Sequence, residues 1–444
     1  MQRIVAICVL GLVSILGAWT ARAETPSKSF LARLTPEQRQ VYGEWHAARL
    51  SFKHRHDRYW ATIDARKAKR RRKHSAGQPI TLADYVVQHP PQYTGPKLRA
   101  DIAKLMRDSE PPSPPGKAAD ELPTVADFLR AARKHYRFIP TRTTEREFKR
   151  RYAAEALAVG LTKEQVVRIY GLETGGRGTY DMQAGINPQT GKGRAISTAL
   201  GYAQLLAANS IDEVVRHGQG FIARLKMMAA DRNTPPERAM ELTAKADSLR
   251  SMLTVARSVP RRWRHHQSLA TTERGYGIHA INMDADIGPW IQVLKLLGLK
   301  DLAERKGRPP LSGAEIELMN LAGPQTGLDM MQPVAHKAST ANFFSRRGYY
   351  RNSIVRWKSA HELLLALDEK MNATVKNDGA LEFAAVFDEL IAARRQNRSF
   401  SFTAKPPPAS SSAPHRSEAA REGIMRLQTG KKAATPSWLP FEVP

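Results

Sequence analysis

Apolar and polar positions along this chain alternate with a helical period, and nowhere do they settle into a long two-residue alternation, so the pattern predicts a mainly α protein. One face of the segment from Thr162 carries Val166, Ile169, Tyr170 and Glu173 at helical spacing. A stripe through Met240, Leu249 and Leu253, with Pro236 near its start, predicts a packing helix without chemistry. Helix starts recur as three-residue boxes: Thr35 with Gln38, Thr162 with Gln165, Ser312 with Glu315 and Ser359 with Glu362. A long helix is expected from Pro36, bearing the basic and aromatic stretches KHRHDRYW and KAKRRRKH.

The first 23 residues break the pattern. A basic start, the apolar run Ile4 to Trp19 and a small-residue site at Ala21 to Ala23 read as a cleavable signal peptide, too short for a span of about 20 residues. The expectation is export to a bacterial periplasm. The only cysteine, Cys8, lies inside that segment, so the mature chain has no thiol to form a disulfide or ligate a metal. Cleavage removes Arg3 and Arg22, so the 69 Lys and Arg fall by two against 42 Asp and Glu, a charge of about +25. Outside the cytosol such an excess calls for anionic wall polymers or a membrane surface as partners, and not nucleic acid.

The expected organisation is a signal peptide (1–23), a basic helical accessory region (24–107), a Pro-rich linker (108–123), a helical main domain (124–395) and a disordered Ser- and Pro-rich tail (396–444). The basic run Lys67 to His74 reads either as a solvated helix end or as a polyanion patch. His54 and His56, two apart on a helix, point to different faces, and no metal or other cofactor is expected.

Candidate chemistry centres on Glu173, which falls in the last turn of its helix before the stop supplied by Gly175 and Gly176. Desolvation on the apolar face and the negative end of the helix dipole both favour a protonated carboxyl, the form that general-acid cleavage of a glycosidic bond requires. The following segment, Ala195 to Ser210, is expected to form a second helix capped near Ser197 or Thr198. Asp181 in the intervening loop is a second carboxylate, either capping the loop or serving an inverting hydrolase.

Glu173-Thr174, the run Ala199-Leu200-Gly201-Tyr202-Ala203-Gln204 and the triplet Ala322-Gly323-Pro324 together resemble the soluble lytic transglycosylase family, whose fold is goose-lysozyme-like. They stand for its Glu-Ser, Ala-x-Gly-Leu-Met-Gln and Tyr-Asn-Ala-Gly-Pro elements. The resemblance covers Thr162 to Met331 and departs from the family in a long loop, with Gln204 lying 31 positions (204 minus 173) after Glu173. Aligned without a gap, Asn320 takes the place of the motif tyrosine; slipped by one residue, it takes that of the asparagine. The resemblance implies cleavage of the β-1,4 bond between N-acetylmuramic acid and N-acetylglucosamine in peptidoglycan, with a 1,6-anhydro product and Glu173 as general acid and base. It also implies sugar contacts from Thr174, Ser197, Tyr202, Gln204, Asn320 and Gly323. A noncatalytic wall-binding protein, with the basic helix holding anionic polymer, is the alternative of a different class.

Overall fold

The structure, a computed structural model, describes residues 28–109, 122–308 and 310–403. The expected signal peptide, most of the Pro-rich linker and residues 404–444 lie outside these residues. The described chain is mainly α, as the periodicity predicts. In chain order its helices are α1 (Lys28–Ala32), α2 (Pro36–Ser75), α3 (Ala100–Ser109), α4 (Val125–Tyr136), α5 (Glu145–Ala158), α6 (Lys163–Thr174), α7 (Ala207–Ala229) and α8 (Pro236–Arg257). They continue as α9 (Trp263–Leu269), α10 (Glu273–His279), α11 (Ile287–Arg305), α12 (Gly313–Ala322), α13 (Pro324–Met330), α14 (Arg346–Arg351), α15 (Ala360–Thr374) and α16 (Asp378–Thr403). None is long and apolar enough to cross a membrane among the described residues. α16 runs on to Thr403, so the expected start of the tail at 396 falls inside a helix.

All four boxes form. In α2 and α6 the Thr side chain accepts the amide three residues on, and the Gln38 and Gln165 side chains return the bond to the cap amide. Ser312 with Glu315 and Ser359 with Glu362 pair in the same way.

The chain divides into two compact units, and the division differs from the expected one. The first holds Leu122–Ile316 and the described residues from Lys370 onward; the second joins 28–109 to Glu317–Glu369. The expected main domain therefore loses its segment 317–369 to the unit built on the basic helix. Side chains give the reason. Trp60 packs edge-on against Tyr349 at 5.6 Å, the Tyr350 hydroxyl lies 2.6 Å from His56 Nε2, and Tyr59 donates to the Gln88 carbonyl at 2.8 Å. Further along α2, the nearly buried Arg70 donates to the carbonyls of Asp84 and Asn342 at 2.9 Å each, with its guanidinium 4.4 Å from the Tyr85 ring centre. Lys69 and Lys73 pair with the buried Asp84 at 2.9 and 2.6 Å, holding that carboxyl far below the usual carboxylate range. Much of the basic run is thus neither a solvated end nor a polyanion patch, because its inward charges are consumed by the fold. At the other end of α2, Tyr42 packs on Phe30 in a small cluster with Leu34 and Ile102.

In the first unit the core runs through Phe128, Phe138, Ile211, Phe221, Leu249, Leu253, Ile278 and Ile291. Burial of each such side chain contributes about 1.5–3 kcal/mol. Leu249 and Leu253 of α8 are buried as the stripe predicts, whereas Met240 is 74% exposed. The same helix buries Lys245, whose ammonium meets Asp284 at 2.8 Å and Asp286 at 2.5 Å. A buried ion stands only when so paired.

Replacing Arg70 with Met should destabilise the protein by roughly 2–4 kcal/mol, because two buried carbonyls lose their donor. Hydrogen exchange reads the consequence: segments 81–86 and 339–343 should lose protection together. Loss confined to 81–86 would show that 317–369 does not belong with the basic helix.

Candidate active site around Glu173

α6 is buried on nearly every side, with Gln165, Val166, Val167, Ile169, Tyr170, Gly171, Leu172 and Thr174 all inaccessible. Its open positions are Lys163 and Glu164 in the first turn and Arg168 in the middle, and in its last turn Glu173 is the one side chain left partly open. The stop is the expected pair of glycines, both left-handed, at φ 66° and 69°. A side chain at Gly176 would also place its Cβ 2.3 Å from the Thr374 carbonyl. The turn is held from outside: Asn377 Nδ2 donates to the Gly175 carbonyl at 2.8 Å and the Ala380 amide to that of Gly176 at 3.1 Å. From inside, the Tyr170 hydroxyl donates to the Gly178 carbonyl at 2.8 Å. Lys370 on α15 feels the Glu173 charge. Burial lowers the pKa of this half-buried ammonium, and attraction to the carboxylate offsets part of that.

The segment after the loop is not the expected helix. Residues 182–205 fold as an irregular ribbon with isolated antiparallel bridges, Gln183 to Leu200 and Leu200 to Leu205, and α7 begins only at Ala207. Left-handed backbone at Gly201 (φ 78°) and Gln204 (φ 42°) interrupts any helix there. Gln292 occupies the space where a Cβ at residue 201 would lie, and its Oε1 accepts the Ala203 amide at 3.0 Å. Leu206, and neither Ser197 nor Thr198, takes the N-cap position of α7; Thr198 Oγ1 accepts the Ala207 amide at 3.1 Å from across the ribbon, while Ser197 Oγ accepts that of Ala199 at 3.1 Å.

Two residues expected at the sugar turn inward. Tyr202 is 1% exposed, donates to Glu145 Oε2 at 2.6 Å and packs edge-on against Tyr170 at 4.8 Å. Burial, then the Glu145 charge, pushes its hydroxyl well above the usual tyrosine value. Thr174 is buried and donates to the Tyr170 carbonyl at 2.6 Å. Both therefore pack the core instead of facing a ligand. Gln204 is 8% exposed; its amide nitrogen donates to the Gly201 carbonyl at 2.8 Å, and its Oε1 has no hydrogen-bond partner among the described residues. Asn320 and Gly323 belong to the second unit, where Asn320 lies 3.4 Å from both Glu317 carboxylate oxygens and Gly323, at φ 90°, precedes α13.

Glu145, in the first turn of α5, is a carboxyl that sequence reasoning passed over. Burial raises its pKa, against hydrogen bonds from the Tyr202 hydroxyl and the Tyr180 amide. Sequence offered no signal, since an acid after a Thr cap is ordinary helix chemistry. Asp181 accepts from Thr179 at 2.7 Å and pairs with Arg142, so its carboxylate is held by two side chains.

No family model, curated protein or solved structure matches this chain.

The ribbon is tied down by the buried His279, whose Nε2 bonds the Thr198 carbonyl at 2.7 Å while Nδ1 faces Ser210 Oγ at 2.8 Å. Burial lowers its pKa to about 4. An unfolded histidine titrates near ~6.5, so between the two values the unfolded chain binds the extra proton. The stability from this group is complete above pH ~6.5 and is lost as pH falls toward 4, at up to about 1.4 kcal/mol per pH unit. His279→Gln should flatten the pH dependence of denaturant unfolding by about that slope. An unchanged slope would mean that the folded ring is not held neutral.

Proposed function

We propose that the chain is a lytic transglycosylase acting on peptidoglycan strands in the periplasm, with Glu173 as its single general acid and base and a lysozyme-like first unit. The observation that carries this reading is the placement of Glu173: the one partly open side chain in the last turn of a largely buried helix, before a turn fixed by two left-handed glycines. A catalytic carboxyl needs this kind of rigid mounting, because a small misplacement costs rate steeply.

In the reaction, Glu173 donates its proton to the oxygen between N-acetylmuramic acid and N-acetylglucosamine as the glycosidic bond breaks. The resulting carboxylate then takes the proton of the muramyl 6-hydroxyl, whose oxygen closes on the anomeric carbon to give the 1,6-anhydro ring. No water is consumed and the carboxyl ends protonated, ready for another strand. Between the two proton transfers the carboxylate bears a full charge, and the Lys370 ammonium is the neighbour that stabilises it. Sugar contacts fall to Ser197 and to Gln204, whose Oε1 is a buried acceptor without a partner among the described residues, so that Gln204 would have to turn outward to reach a sugar. The engagement of Asp181 by Arg142 and Thr179 favours the one-carboxyl route over an inverting hydrolase, in which that residue would have to activate water.

Intact peptidoglycan sacculi incubated with the purified chain, with mass spectrometry of the soluble products, test the proposal. Anhydro-ended muropeptides are expected. Reducing ends would indicate the hydrolase, and no release at all a noncatalytic binder. Glu173→Gln should abolish release, to below about one per cent of the parent rate, with folding intact, since the amide cannot cycle a proton. Asp181→Asn should cost no more than about tenfold. A loss as deep as that of the Glu173 variant would transfer the central role to the pair.

A further inference from the structure

The second unit contains a feature that the cleavage reading does not use. Ser51, His54, Arg55 and Arg58 stand at i, i+3, i+4 and i+7 on α2 and share one exposed, open face. No ion pair to an acid reaches Arg55 or Arg58 among the described residues. The acid between them in sequence, Asp57, is engaged by Arg346 at 2.9 Å. Like charges one turn apart on a helix disfavour it, and this stripe carries no compensating carboxylate of its own. The contrast with the C-terminal part of the helix is sharp, since Lys69 and Lys73 are paired with Asp84 and Arg70 is built into the fold. A local conflict that the fold does not resolve points to a ligand that does.

The donor set identifies the ligand class. Arg55 Nη1 donates to Ser51 Oγ at 2.8 Å, which orients the guanidinium and leaves the serine hydroxyl hydrogen for another acceptor. Two planar guanidinium forks, a hydroxyl and an imidazole N–H are presented on one exposed helix face. Such donors match the paired nonbridging oxygens of a phosphate. We propose that this face of α2 binds the phosphodiester groups of an anionic polymer. A membrane surface fits less well, because α2 exposes no large apolar side chain, whereas helices that lie in a bilayer interface insert an apolar face. Nucleic acid fits less well also, since the imidazole of His54 is the one ring among these four side chains and no Phe, Tyr or Trp stands with it as a stacking platform. The proposal stands apart from the cleavage reading, and Glu173→Gln should leave it untouched.

The test uses the full chain and a fluorescent poly(glycerol phosphate), with affinity followed by anisotropy across a salt series. Arg55→Gln with Arg58→Gln should weaken binding by about tenfold or more and make the salt slope shallower, as expected when phosphate contacts are lost. The matched control is Arg71→Gln with Arg72→Gln, which removes two exposed cations of the same helix outside this stripe. Its effect should stay within about twofold. Equal losses from the two pairs would reduce the site to diffuse charge and overturn the proposal. So would binding to phosphatidylglycerol vesicles or to single-stranded DNA that exceeds polymer binding and depends equally on Arg55 and Arg58.

Discussion

The end of α6 is the constraint on which the first unit depends. A helix whose last turn is largely buried cannot leave its last carbonyls to water, so the chain must turn sharply and find donors inside the protein. The two left-handed glycines make that turn, and Asn377 and the Ala380 amide supply the donors. Because Gly176 lies against the Thr374 carbonyl with no space for a side chain, the turn and the chain leading into α16 fix one another. The position of Glu173 follows from this, as does the course of the loop beyond it, which the Tyr170 hydroxyl holds at Gly178. These contacts fix the backbone from which the Glu173 side chain projects, the mounting that the proposed proton transfer requires.

What could be read from sequence was local. Each capping box depends on side chains three positions apart, and all four formed. The glycine stop after Glu173 was equally legible, since left-handed backbone is a property of the residue itself. The ribbon 182–205 was not, because what holds it comes from elsewhere: Gln292 from α11 fills the space at Gly201, and His279 from α10 bonds Thr198. Helical spacing of its apolar residues was compatible with a helix and could not show that Tyr202 would turn inward to Glu145. Met240 failed in the opposite sense, with the right period and an exposed position.

The basic helix shows how far composition carries an argument. A run of cations suggests a partner, yet Arg70, Lys69 and Lys73 are used to join α2 to the turn around Asp84, and Arg70 also holds Asn342. That junction is why 317–369 groups with the N-terminal helices, while the boundary at residue 122 falls where the linker was expected to end. Charge not consumed in this way remains exposed both in the densest run, at Arg71 and Arg72, and on the stripe of His54, Arg55 and Arg58, where the proposed recognition rests on the arrangement of donors and not on the density of charge.

The central claim, that Glu173 marks where a glycan strand is cut, is tested most directly by a crystal structure of the Glu173→Gln chain soaked with a tetrasaccharide of alternating N-acetylglucosamine and N-acetylmuramic acid. The account predicts a glycosidic oxygen within about 3 Å of the residue 173 side chain, with the muramyl 6-hydroxyl on the same side. A strand bound in the crystal away from residue 173, with that side chain shut off from sugar, would contradict it.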